Sequence, residues 1–600
     1  MSLFKLNSPN PNLPRNGFDL SSRRVFSAPV GALLPVGVWE CNPGEHFSFN
    51  VQDLVRTQPL NTAAFARLKE YYHFFFVPYK ALWSGFDKFI TGVTNGDNSP
   101  VGPISRVGSV SGVGGDIAVN GAIKTANAVR REIPSFKLQS LYIKLTDASS
   151  GKDALGYSYS QGSMRLLNLL EYGINVRGSV LRKNHHSEDG HILLDEQKLY
   201  SQPYSLDYSV SPFRLMAYQR IYNDFYRNDI WESANPLSFN MDYVFDDSVK
   251  LDMDVVKSFC QLRYRHHSKD WLTSSYPTLN YSSSIFRLPS DIDNLAAAEG
   301  LEIVDDRGGS LFNDHSDQFG ISANDIRSVF ALEKMLEATR RANGLDYSNQ
   351  IAAHYGFKVP ESRRPCSHFI GGFDNAISIS EVVSTSNGSI DGKLDTATFT
   401  GDVKGKGVGA LSNGHLSLDV KEHGLIMCIY SAAPQIDYNA SHLSAFNRKL
   451  TREDFFQPEF QNLGFQPLYG FDINVVSSDS SESAVMEDDV SFNNSIVGFV
   501  PRYQEYKTAR DLIFGEFQTG LSMSSWVSPR IDIGRSFKKD VTNDKGYPKI
   551  TPATLLVDPA ILNPLFAVQY DGSPLTDQLL VNSYFDVKAV RPMSVSGTIL

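Results

Sequence analysis

The chain of 600 residues carries 56 Lys and Arg against 66 Asp and Glu, a net charge of −10 that argues against bulk nucleic-acid binding by the chain itself. Charged residues are only 20% and aromatics 12%, with Gly 44 and Pro 29, which suits turn-rich β structure under a charge-poor surface. The four cysteines (Cys41, Cys260, Cys366, Cys428) stand far apart, which excludes a CxxC zinc site and argues against a disulfide framework, and no run of ~18 apolar residues could span a membrane.

Residues 1–21 are rich in Pro and Asn and hold no apolar run of signal-peptide length. They are expected to form an extended arm that cannot fold by itself. Packed structure is expected from Arg23-Arg24-Val25-Phe26 onward. Phe47-Ser48-Phe49-Asn50-Val51 alternates as a strand does. Tyr71 to Val77 (YYHFFFV) is apolar on both alternating faces, which predicts a strand covered on two sides and ended by Pro78.

Residues 93–204 read as a surface insertion. Their first part is rich in Gly, Ser and Val without periodicity, and it is expected to be a long exposed loop that tolerates change. Ser163 to Tyr172 predicts a short amphipathic helix, and Ser211 to Asn228 a longer one that opens on Ser-Pro. Residues 291–364 read as a helical insertion around a helix from Asn324 to Ala342, capped by Asn324 or Asp325 and stopped by Asn343-Gly344. Beyond Phe369 the text is β, with runs such as Gly424–Tyr430 and Ile496–Val500 between turn residues. The sum predicts a mainly β protein, a sandwich or jelly roll with large loops, whose core comes in pieces from 22–92, 205–290 and 365–600.

Catalytic patterns fail. There is no GxSxG and no HExxH. Gly401–Gly409 (GDVKGKGVG) resembles a phosphate loop, but Lys406 is followed by Gly407 rather than Ser or Thr, so it reads as a turn between strands. His185, His186 and His191 lie in polar text that reads as a solvated loop rather than a metal site. No cofactor is expected. Bases alternate with rings at Arg263, Tyr264, Arg265, His266, His267, Lys269 and Trp271, a mixture suited to phosphate contact and base stacking, or equally to a polar interface. Arg214, Arg220 and Arg227 on the 211–228 helix form a second set. Their rival reading is pairing with acids such as Asp224 and Asp229 across subunit interfaces.

The run Phe74-Phe75-Phe76-Val77-Pro78-Tyr79-Lys80-Ala81-Leu82-Trp83, followed by Phe89-Ile90-Thr91-Gly92, resembles the major capsid protein of the microviruses, small icosahedral single-stranded DNA phages, especially the gokushovirus-like ones. Further segments are similar in the same order. They include Ser22–Phe26, Pro212–Arg227, Lys269-Asp270-Trp271-Leu272-Thr273, Ile326–Glu337, His354-Tyr355-Gly356, Glu422-His423-Gly424, Tyr503–Lys507, Gly515-Glu516-Phe517 and Phe585–Val595. The stretches 93–160 and 178–205 match nothing in that pattern.

The resemblance implies an eight-stranded jelly roll with long insertions holding a few helices, and a structural rather than enzymatic role. It implies pentamers that close into a T=1 shell of sixty copies around circular single-stranded DNA, within a virion assembled in the bacterial cytoplasm. Implied partners are a small basic DNA-packaging protein, a scaffolding protein, a pilot protein and a host surface receptor, with no membrane. The alternatives are a carbohydrate-active enzyme on a β sandwich and a carbohydrate-binding surface protein.

Overall fold

The computed structural model describes, apart from a few short pieces, residues 15–61, 64–91, 133–138, 151–173, 209–242, 253–270, 272–277, 347–357, 366–383, 403–461, 464–473, 496–518, 521–527, 555–566 and 577–595. Its frame is nine strands: β1 (Asn16–Asp19), β2 (Ser22–Ala28), β3 (Leu34–Cys41), β4 (His46–Thr57), β5 (Leu68–Pro78), β6 (His368–Val383), β7 (Val403–Asp419), β8 (Gly424–Pro434) and β9 (Leu579–Arg591). They hydrogen-bond in the order β1-β9-β4-β7-β6-β5-β8-β3, with β2 beside β1 on the same edge of β9, and every pairing is antiparallel.

One strand folds this path in two. The first half of β6, His368–Ile377, pairs with β5, and its second half, Ser378–Val383, pairs with β7. A strand that changes sheets makes a corner. The result is two facing four-stranded sheets, β1/β2-β9-β4-β7 and β3-β8-β5-β6. The chain crosses between them at nearly every step, which is the connectivity of an eight-stranded jelly roll whose first strand is split into β1 and β2.

Alternation explains the packing. In β4 (HFSFNVQDLVRT) every second residue is buried, and β9 behaves likewise, so their sheet turns one face inward. Phe47, Phe49, Val51, Val581, Phe585 and Val587 meet Val36, Phe74, Phe76, Ile426 and Tyr430 of the opposite sheet. Ring contacts span the gap, Trp39 to Phe49 at 5.1 Å and Trp39 to Phe585 at 5.6 Å.

β8 is buried along its whole length and β5 along most of it. Their second face lies under helices α1 (Tyr159–Leu169), α2 (Phe213–Ile221) and α3 (Met253–Cys260). There Phe75, Val77, Leu425, Met427 and Ile429 pack with Leu166, Leu167, Met216, Val256 and Phe259. The two-sided strand at Tyr71–Val77 is thus covered inside the subunit, by the sandwich on one face and a helical layer on the other.

Several expectations change. Asn16–Asp19 of the expected arm is a strand on β9, because the edge of β9 beyond β2 supplies the backbone partners that the Pro/Asn text lacks by itself. Residues 205–290 give no strand to the main sheet among the described residues; they supply α2 and α3, whose apolar residues follow the helical period, and the extended segment Leu262–His267. The 93–204 stretch is partly core: Phe136, Leu138, Met164, Leu166 and Leu167 are buried in the helical layer. Its helix starts at Tyr159, four residues earlier than expected. The 211–228 helix runs as α-helix only to Ile221 and closes in a π turn, Tyr222–Tyr226.

The glycine-rich Gly401–Gly409 is largely the start of β7 rather than a turn. A Cβ on Gly407 would meet Thr57 Cγ2 at 2.4 Å, so the glycines serve close approach between strands. His185 and His186 lie in a short strand, Lys183–His186, paired with Ile192–Leu194. Most of the Asn324–Ala342 helix, and all of residues 93–132, lie outside the described residues.

Candidate functional site

The segment Leu262–His267 is a strap threaded between two pieces of the subunit. Leu33 N donates to Arg263 O at 2.9 Å and Arg265 N to Gly31 O at 2.8 Å, while Val557 N donates to Arg265 O at 2.9 Å and His267 N to Leu555 O at 3.0 Å. Gly31 sits at φ +85°, and a Cβ there would lie 2.4 Å from Val557 O, so only glycine lets the strap and its neighbours close together. Extended backbone sends alternate side chains to opposite sides. Leu262 and Tyr264 accordingly enter the sandwich core, and Arg263 and Arg265 face the helical side.

Both arginines are engaged there. Arg263 Nε donates to Gln219 Oε1 at 2.8 Å, its guanidinium lies 4.7 Å from the Tyr222 ring, and Glu232 Oε1 stands 3.9 Å from Nη1. Glu232 also accepts from the Tyr222 hydroxyl at 2.7 Å and lies 3.6 Å from His266 Nε2. Burial acts to raise the Glu232 pKa, but His266, Tyr222 and Arg263 together hold it below the ordinary carboxylate value. Arg265 lies 4.0 Å from the Tyr71 ring and reaches Ser431 Oγ at 3.2 Å; burial lowers its pKa. His267 is buried, and burial, with the charges of His266 and Arg265, pushes it down to about 3. Lys269 is exposed, and Trp271 lies outside the described residues.

The α2 arginines are likewise engaged within the subunit. Arg214 bridges Glu40 at 3.4 Å and Glu171 at 3.1 Å, and Arg24 shares Glu171 at 2.7 Å. Arg220 holds Asp224 at 2.9 Å, and Asp224 in turn accepts from Ser367 N at 2.9 Å and Ser367 Oγ at 2.6 Å. Arg227 pairs with Asp229 and donates to Glu232 O at 2.9 Å. The expected pairing with Asp224 and Asp229 therefore occurs inside one subunit, not between subunits. The two sets do not combine into an open basic face: rings and bases alternate in the strap because one side fills the core and the other stacks on Tyr71 and Tyr222.

Sequence reasoning passed over a different charged pair. Asp53 and Glu70 occupy inward positions of β4 and β5, Glu70 at 0% exposure and Asp53 at 8%. The signal was available, because each acid stands on the apolar phase of an alternating strand, Val51-x-Asp53-x-Val55 and Leu68-x-Glu70-x-Tyr72. Among the described residues no group of three or more His, Cys, Asp or Glu side chains is placed to hold a metal ion.

The sequence matches the capsid protein (F protein) family over residues 7–143 and 203–599. The chain belongs to this capsid protein family. The match takes in all nine strands of the jelly roll together with α2, α3 and the strap, and leaves out 144–202, which contains α1. The chain is also similar to "Capsid protein VP1" of Chlamydia phage 1, 22% identical over 98% of this chain and 96% of that protein. It is similar as well to "Capsid protein VP1" of Bdellovibrio phage phiMH2K, 25% identical over 38% of this chain and 40% of that one. A capsid protein is structural, not an enzyme, and neither carbohydrate-directed alternative finds support in these relationships.

Proposed function

We propose that this chain is the major capsid protein of a small icosahedral single-stranded DNA phage, and that its copies close into a shell around the genome. The carrying observation is the capsid-family match across both flanks of the jelly roll, joined to a capsid relative that covers 98% of the chain. The surface supports a subunit built for burial between copies. Leu450 is 87% exposed, Phe65 65%, Phe514 64%, and Phe446 and Phe455 53% each. Large apolar side chains exposed to this degree suit a surface that other chains cover.

In this reading the subunits gather as pentamers into a T=1 shell, assembled in the host cytoplasm. The net charge of −10 supports a separate source of genome counter-charge, a small basic packaging protein or cations. A scaffolding protein, a pilot protein and a host receptor complete the proposed partners. Contacts to DNA are sequence-blind, since a shell must accept every stretch of the genome. Of the bases between Arg263 and Lys269, Lys269 is the cation displayed at the surface among the described residues. The test is electron microscopy of the purified full chain under assembly conditions. Uniform closed particles are expected, and a chain that stays dispersed or forms open aggregates in every condition overturns the reading.

A further inference from the structure

Asp53 and Glu70 come from opposite sheets, Asp53 from β4 and Glu70 from β5, and meet inside the sandwich near the corner where β6 passes between sheets. Each carboxyl has one set of partners on its own side. Glu70 Oε1 accepts from Asn375 Nδ2 at 2.9 Å and Oε2 from the Tyr430 hydroxyl at 3.2 Å. Asp53 Oδ1 accepts from Leu411 N at 2.8 Å. Asp53 Oδ2 is buried and has no hydrogen-bond partner among the described residues. The Tyr72 hydroxyl, also close to Asp53, is bonded to Ser583 Oγ at 2.6 Å. No ion pair to either acid occurs among the described residues; what faces them from β5, β6, β7, β8 and β9 is Tyr72, Asn375, the Leu411 amide with Gly409, Tyr430 and Ser583. Gly409 is pressed close, since a Cβ there would lie 3.1 Å from Glu70 Oε1.

A buried carboxylate oxygen without a donor costs a large desolvation penalty, and two carboxylates without a cation cost more. One proton removes both costs. Carried on Glu70, it becomes the donor that Asp53 Oδ2 lacks, since the two buried acids face each other from opposite sheets. We propose that Asp53 and Glu70 share one proton as a bond between the two sheets, and that losing it at alkaline pH loosens the jelly roll. In agreement, burial first and the Asp53 charge second push the Glu70 pKa up to about 8. The neighbouring phenols do not compete in that range, because burial pushes Tyr72 and Tyr430 well above their ordinary value.

The test is urea unfolding of the full chain at a series of pH values, for wild type, Glu70→Gln and Asp53→Asn. In the wild type the folding equilibrium falls roughly thirtyfold between pH 6.5 and pH 9, as one proton held only by the folded state is lost. Glu70→Gln, which keeps a donor for Asp53 without a titrating proton, is flat over that range. A flat wild type, or an equal fall in Glu70→Gln, overturns the proposal. Infrared spectra of the wild type give a readout that survives failure of either variant to fold. A protonated-carboxyl band present at pH 7 and gone by pH 9 supports the shared proton, and its absence at pH 7 refutes it.

Discussion

Phe74 and Phe75 are neighbours in sequence that belong to different cores, and truncating each should injure a different layer. Phe74 is 0% exposed and touches rings from both sheets: Phe49 at 5.1 Å, Phe373 at 6.1 Å, Trp39 at 6.2 Å and Phe585 at 6.5 Å. Removing a core Phe costs ~3–5 kcal/mol, and four lost ring contacts place Phe74→Ala near ~5 kcal/mol. Phe75 is also buried, but its partners Phe225 (5.0 Å) and Phe369 (5.4 Å) are themselves 45% and 49% exposed. That site can relax and admit water, so Phe75→Ala should cost ~3 kcal/mol. Hydrogen exchange read by mass spectrometry localises the damage. Phe74→Ala should raise exchange in both sheets, in β4 and β9 as well as β3 and β8. Phe75→Ala should raise it in α2 and the Tyr222–Tyr226 turn while β4 and β9 stay protected. Identical exchange maps for the two variants would refute the division into a sandwich core and a helical layer.

Two further outcomes follow from buried charge. Arg265→Met should change stability by no more than ~1 kcal/mol in urea unfolding, because the lost Ser431 bond and Tyr71 stacking are offset by relief of burying a cation with no carboxylate partner among the described residues. Arg263→Met should cost ~2–4 kcal/mol, since it strips Glu232 and Gln219 of their partner, and equal effects at the two positions would show that Arg265 has a counter-ion. His73 and His267 are held neutral by burial, with pKa values of about 4 and about 3 against 6.5. Folded pKa values below the unfolded ones mean that stability is whole above pH 6.5 and lost as pH falls through the folded values, by ~3 and ~5 kcal/mol at the limit. A pH series of urea midpoints on His73→Gln and His267→Gln should show a shallower acid slope than wild type, and an unchanged slope would refute the assignment.

What the sequence displays is the part of the fold governed by local period. The strands β4, β5 and β8 and the start of α2 all follow from spacing, because each buries its own face wherever the partner comes from. The corner in β6 does not, since His368–Val383 reads as one strand and only the pairing of its halves with β5 and β7 makes it change sheets. β1 escapes notice because its backbone partners lie at the far end of the chain, Asn16 opposite Arg591. The strap misleads for a definite reason. Alternating bases and rings are what a nucleic-acid surface uses and also what a buried strand uses when arginines stack on aromatics, and the second requires Tyr71, Tyr222 and Glu232, none of them adjacent in sequence.

Charge ties these observations to the assembly. Arg24, Arg67, Arg165, Arg214, Arg220, Arg227 and Arg448 each hold a carboxylate of their own subunit. Their guanidinium groups are therefore spent within the subunit, some joining segments far apart in the chain, such as Arg165 with Asp577 at 2.7 Å, others locally, such as Arg220 with Asp224. A phosphate would have to displace those carboxylates to recruit them, and the chain as a whole already carries more acid than base. In the proposed role, a shell made of such subunits would confine nucleic acid without neutralising it. The counter-charge would then have to enter with the genome, which is the physical reason for proposing a basic partner or cations inside the particle.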